Sequence, residues 1–103
     1  MTELSRFYGI VISMFFFDHN QPHVHVCYGG RNSRGAGAYA TIIAVRTGKR
    51  VNGDVLPGKT MRLVRHWILE HAAELEEAWL EAQSGKNPKR IAPLHAKKGR
   101  KVK

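Results

Sequence analysis

Between Phe7 and Phe17 the chain alternates with a period of two. Tyr8, Ile10, Ile12, Met14 and Phe16 take the even positions, and Gly9 and Ser13 interrupt the odd ones. Period two with β-branched and aromatic side chains predicts a strand whose even face meets the core. Asp18-His19-Asn20-Gln21-Pro22 ends it, because Asp, Asn and Pro are turn formers and Pro22 biases Gln21 toward extended backbone. Alternation resumes at His23. Val24, Val26 and Tyr28 point one way, and His23, His25 and Cys27 point the other. The two runs predict an antiparallel pair joined by a short loop. Residues 29–37, rich in Gly, Ser, Asn and Arg, read as a flexible loop. Residues 38–45 predict a third strand and Thr47-Gly48 a turn. Residues 49–51 predict a short fourth strand, and Asn52-Gly53-Asp54 another turn.

After Pro57-Gly58 the period lengthens. Met61, Val64, Ile68, Leu75, Ala78, Trp79 and Ala82 recur near 3.6 residues, and Leu63 and Trp67 widen the stripe. This places both tryptophans in the core rather than on a stacking surface. The pattern runs for about 27 residues, long for a chain of this size. One long helix and a pair of antiparallel helices broken near His71-Ala72-Ala73 both fit it. Ser84-Gly85 supplies a C-terminal stop. Asn87-Pro88 and Ala92-Pro93 mark an extended segment. The expected fold class is α+β: an antiparallel sheet of three to four strands, covered on one face by a long or broken C-terminal helix (a helical hairpin). Residues 1–94 form the expected single domain. Residues 95–103, nearly devoid of apolar side chains, are expected to be a disordered basic tail. No internal repeat is present.

Charge sharpens that division. The net charge of +9 is concentrated at one end. Residues 86–103 hold eight Lys/Arg and no acid, whereas residues 1–85 hold nine Lys/Arg against eight Asp/Glu. Within the body, residues 66–85 carry five acids and no Lys/Arg. A single cysteine, Cys27, excludes an intramolecular disulfide and a disulfide-stapled secreted domain. The apolar run at residues 7–17 is too short to span a bilayer and lacks a signal-peptide cleavage site. The expected setting is the cytoplasm, with no membrane partner.

The densest chemistry lies in Asp18-His19-Asn20-Gln21-Pro22-His23-Val24-His25. His23 and His25, two apart on a strand, put both rings on one face with Cα atoms about 6.5–7 Å apart. Two imidazoles at that spacing can converge on a divalent metal at about 2.0–2.1 Å, with Asp18 or His19 as a third ligand across the turn. The same four residues are the candidate catalytic groups, since a carboxylate with two or three imidazoles suits hydrolysis. Without metal they serve as proton-transfer or ligand-binding groups. The plainer reading makes Asp18 and Asn20 turn residues and the His/Cys side the less buried face of the sheet. No cofactor is established by these residues beyond that candidate metal. No phosphate-loop or dinucleotide fingerprint is present. Arg46, Lys49, Arg50 and Arg62, with Lys59 and Arg65 nearby, cluster around a turn and the start of the helical pattern. With Lys97, Lys98, Arg100 and Lys101 of the tail they are the candidate nucleic-acid contacts.

The stretch Ser5-Arg6-Phe7-Tyr8-Gly9-Ile10-Val11-Ile12, followed by residues 18–29, resembles a small bacterial family of unknown function. The hallmark of that family looks like D-H-N-P-P-H-F-H-V-x-Y. Leu56-Pro57, Leu63-Val64, Trp67, His71, Glu74-Leu75, Trp79 and residues 88–94 fit as well, so the resemblance covers residues 4–94. Gln21 stands where proline is usual, residues 31–37 are extra, and the tail after Leu94 is private to this chain. The resemblance implies a second small protein as neighbour, in an arrangement similar to toxin–antitoxin pairs. It carries over no catalytic residue and argues against Cys27 as a ligand. The expected function is therefore a binding or regulatory subunit that docks a small protein partner and nucleic acid. The alternative is a small nuclease-like hydrolase built on residues 18–25. The oligomeric state is not legible.

Overall fold

The computed structural model describes residues 2–17, 21–29 and 39–94. Five strands and two helices follow in order: β1 (Thr2–Phe7), β2 (Ile10–Met14), β3 (His23–Tyr28), β4 (Tyr39–Ala44), β5 (Arg50–Gly53), α1 (Gly58–Glu70) and α2 (Ala72–Gln83). The strands form one antiparallel sheet in the order of the chain. The fold class is α+β, with five strands instead of the expected three to four.

The extra strand, β1, precedes the stretch of residues 7–17 that was expected to be one strand, and the first residues of that stretch form a turn. Tyr8 and Gly9 both take left-handed backbone, with φ of 49° and 77°. That is the twist a two-residue hairpin turn requires. Tyr8 therefore points to solvent, 52% exposed, and not into the core. Ile10, Ile12 and Met14 do hold the even face, fully buried. Asn52 and Gly53, expected in a turn, lie inside β5. Gly53 is needed for close approach: a Cβ there would lie 2.6 Å from the Ala40 carbonyl oxygen. Asp54 then clamps Ala40, accepting its N–H through the carboxylate and donating its own N–H to the Ala40 carbonyl, each at 2.9 Å.

Both sheet edges are interrupted. The register shifts between Glu3 and Ser5 on β1, and between Ile42 and Ile43 where β4 meets β5. Bulges of this kind discourage edge-to-edge pairing. The β1 edge is further covered by residues 86–94. Ile91 N–H donates to the Leu4 carbonyl at 2.8 Å, and Arg90 pairs with Glu3 at 3.0 Å.

The helices pack on the even face. Thr60, Val64, Trp67 and Ile68 of α1 are buried, as are Leu75, Ala78, Trp79 and Ala82 of α2. They join Leu4, Ile10, Ile12, Met14, Val24, Val26 and Ile43 in one core. The helical pattern breaks at His71, whose φ of −113° and ψ of 27° lie outside the helical range. The break gives two helices, α1 and α2, joined by that single residue. α2 reaches the segment after β2, where Phe17 N–H donates to the Ala82 carbonyl at 3.2 Å, and the start of β3, where Trp79 meets His23. Gly85 (φ 84°) closes α2, with its N–H on Ala82 and the Lys86 N–H on the Glu81 carbonyl. Among the described residues no helix is long and apolar enough to cross a membrane. The disorder expected of residues 95–103 lies outside the described residues.

Candidate functional site

β3 holds His23 and His25 as the alternation requires, on the side opposite the Val24 and Val26 core face, and at the start of the strand His23 still reaches Trp79 of α2. Their ring centroids are 5.4 Å apart. Register sets their neighbours. Ser13 and Ile42 flank His25, Ala44 pairs with His23, and Asn52 of β5 lies beyond Ile42. His23 is buried, and its Nδ1 lies 2.8 Å from the Gln21 carbonyl oxygen. Only an N–H can bond a carbonyl, so in the neutral ring Nδ1 carries the proton and Nε2 the lone pair. Gln21 is held in place for this because the next carbonyl, that of Pro22, accepts the Val45 N–H at 3.0 Å.

The two histidines belong to a row of four rings. Phe15 stacks on His25 at 4.1 Å with planes 24° apart, His25 adjoins His23, and His23 meets Trp79 at 5.0 Å. Trp79 is a core residue, as its helical position predicts, but its ring also forms the wall behind His23. Sequence reasoning missed Phe15. Its odd position, shared with Ser13, was the available signal, since Ser13 lies opposite His25.

Two depressions adjoin these rings. One, of about 420 Å3, is lined by Pro22, His23, Ala44 and Val51. The other, of about 370 Å3, is lined by Phe15, His25, Cys27 and Ala40. Ile42 and Asn52 border both, so the two form one shallow trough across β3, β4 and β5. Small side chains at Ala40, Ala44 and Gly53 make it concave.

Asp18 and His19, the other two candidate catalytic residues, lie outside the described residues. Among the described residues no group of three His, Cys, Asp or Glu side chains is placed to hold a metal ion. His23 and His25 alone would supply two imidazoles to one, with His23 offering Nε2. Cys27 shares their face and is half-buried.

The candidate nucleic-acid contacts separate. Arg46 is bidentate to Glu76, at 2.9 and 3.1 Å, and this bond holds the Glu76 carboxyl below the usual carboxylate range. Arg50 donates to the Gly53 carbonyl at 2.8 Å. Lys49 and Arg62 are exposed. Arg65 ties α1 to the β4–β5 turn through the Gly48 carbonyl. Lys97, Lys98, Arg100 and Lys101 lie outside the described residues. Lys89 and Arg90 share a small cleft of about 100 Å3 with Glu74, Glu77 and Glu81, so the acidic helix face meets basic groups just before the tail.

No curated protein and no solved structure matches the chain. A family model described as a domain of unknown function matches residues 9–80, a stretch that holds β2 to β5, both histidines, α1 and most of α2. It leaves out β1 and the 86–94 segment that covers it, so the hydrogen-bonded edge is the part of the fold outside the match. The chain belongs to this family, DUF4160.

Proposed function

We propose that the chain is a binding and regulatory subunit of a toxin–antitoxin-like module, acting in the cytoplasm, which docks a small protein partner and contacts nucleic acid. The observation that supports this is the separation of two unlike open surfaces onto opposite layers. The helical layer exposes Leu69 of α1 and Leu80 of α2, 71% and 70%, and also exposes Glu70, Glu74 and Glu77. The sheet layer turns its trough outward, with Phe15 exposed and His25 half-buried. Exposed apolar side chains on the helical layer suit a protein partner. The other layer is left for a polyanion, which the eight Lys/Arg of residues 86–103 would help to hold. Cys27 as a free thiol fits a reducing compartment.

The partner half is tested by co-expression with the small protein that the resemblance places beside this one, followed by size-exclusion chromatography. Leu69→Arg combined with Leu80→Arg should release the partner. Both positions are solvent-facing, so the thermal midpoint should stay within a few degrees. Co-elution of the double variant at wild-type stoichiometry sinks the helical surface as the dock.

A second reading, a small nuclease-like hydrolase using Asp18, His19, His23 and His25, is favoured by one observation. The Gln21 carbonyl leaves the lone pair of His23 on Nε2, the arrangement a general base or a metal ligand needs. RNA cleavage by the purified protein should then vanish in His25→Ala and in His23→Asn. Cleavage that survives in both ends this reading. Loss on chelation, restored by a divalent cation, would mark a metal-dependent form.

A further inference from the structure

We infer that the outer face of the sheet is a stacking platform for single-stranded nucleic acid, with Phe15 as the ring that takes a base. This rests on the nucleic-acid part of the proposed function and names where and how the strand is held.

Phe15 lies just past β2 and is 41% exposed. Its ring is backed by His25 at 4.1 Å and nearly parallel, and His25 is continued by His23 and Trp79. A ring with one face supported and part of its surface in solvent keeps a fixed plane on which a base can stack. Stacking tolerates any base, because every base has a π-face. Beside Phe15 lies the depression of about 370 Å3, shallow and open rather than enclosed, so a strand can run through it. Asn52 borders both depressions, and its Oδ1 already accepts the Gly53 N–H. That bond orients the amide, whose NH2 donors then suit a base-edge acceptor. Ala40, Ala44 and Gly53 leave room along the trough for a backbone. Lys49, whose carbonyl accepts the Ala44 N–H, is exposed near the end of the trough, and the chain's excess basic charge lies in residues 86–103, beyond the sheet in sequence.

A duplex hides its base faces, so the platform selects single strands. The edges argue against a peptide strand as occupant. Register shifts interrupt both, and residues 86–94 cover one, so a peptide would find no regular ladder to extend.

The test is fluorescence anisotropy of the full chain with labelled oligouridylate and oligothymidylate of about eight nucleotides, near the site size of a small sheet-based binder. Phe15→Ala should weaken binding about tenfold, equivalent to about 1.4 kcal/mol, with little change in the salt slope. Phe15→Tyr should restore it. A duplex of the same length should bind more weakly than either strand. Removing residues 95–103 should flatten the salt slope while leaving the Phe15→Ala factor intact. Salt-dependent binding that Phe15→Ala leaves within twofold overturns the platform and spares the nucleic-acid reading. Equal loss in Phe15→Ala and Phe15→Tyr also overturns it, because the ring would then not be acting by stacking. No binding by the wild type overturns both.

Discussion

The Trp67 indole N–H donates to the Ala92 carbonyl at 2.9 Å, so a fully buried residue of α1 anchors the extended segment that returns along β1. That segment also places Ile91 and Leu94 in the core. Trp67→Phe keeps an aromatic ring but loses the donor and some volume. It should cost about 1–3 kcal/mol in urea denaturation, and limited proteolysis should cut residues 86–94 sooner. Unchanged cleavage would show that the segment is held by Ile91 and Leu94 alone.

Gly85 carries two constraints at once. Its φ of 84° is left-handed, and a Cβ would come within 2.9 Å of the Phe17 ring. Gly85→Ala should lower stability by about 1–2 kcal/mol. Shortening Phe17 to Leu in the same chain removes the contact but not the backbone strain. The double variant should therefore recover part of the loss, measured as non-additivity in a double-mutant cycle.

The Glu3 and Glu76 carboxyls are both held below the ordinary range, Glu3 chiefly by the Arg6 hydrogen bond and Glu76 by Arg46. Their pKa values are lower in the folded state. Their contribution is thus full above the unfolded carboxylate value of about 4.3 and is lost as pH falls through the folded values. Both pairs are solvent-exposed, so each is worth about 0.2–1 kcal/mol. Glu76→Gln should remove its share at neutral pH and flatten the fall in thermal midpoint between about pH 5 and pH 2.

His23 should show a protonated Nδ1 and an unprotonated Nε2 in long-range nitrogen–proton NMR of the neutral ring, because the Gln21 carbonyl accepts only from an N–H. The opposite tautomer would remove the basis for assigning Nε2 a chemical role. His23 is 8% exposed and packs against Trp79, so His23→Ala should cost about 1–3 kcal/mol. For that reason His23→Asn, with a fold check, is the variant suited to activity assays.

Much of the frame is legible in spacing. The even face of β2, with Ile10, Ile12 and Met14, and the Val24 and Val26 face of β3 are buried as the period of two requires. The 3.6-residue stripe locates Val64, Ile68, Leu75 and Ala82, and Ser84-Gly85 ends α2; of the two helical arrangements that stripe allowed, the structure takes the one broken at His71. β1 escaped because a bulge disrupts the alternation of Thr2 to Phe7. The Tyr8-Gly9 turn escaped because tyrosine rarely takes left-handed backbone. Asn52-Gly53 reads as a turn by composition, yet the glycine answers to the approach of Ala40 and Thr41 from the neighbouring strand.

The sequence by itself determined which faces of β2 and β3 are buried, where the helical region stops, and that His23 and His25 share one side of a strand, while one helix and two fitted the helical period equally. These follow from local geometry, in which residue spacing dictates direction. Only the tertiary structure decided that Phe15 would back onto His25, that Trp79 would wall His23, and that Arg46 would be taken up by Glu76. Those contacts join segments far apart along the chain. They depend on strand register and on where the bent helices settle, which no local period encodes.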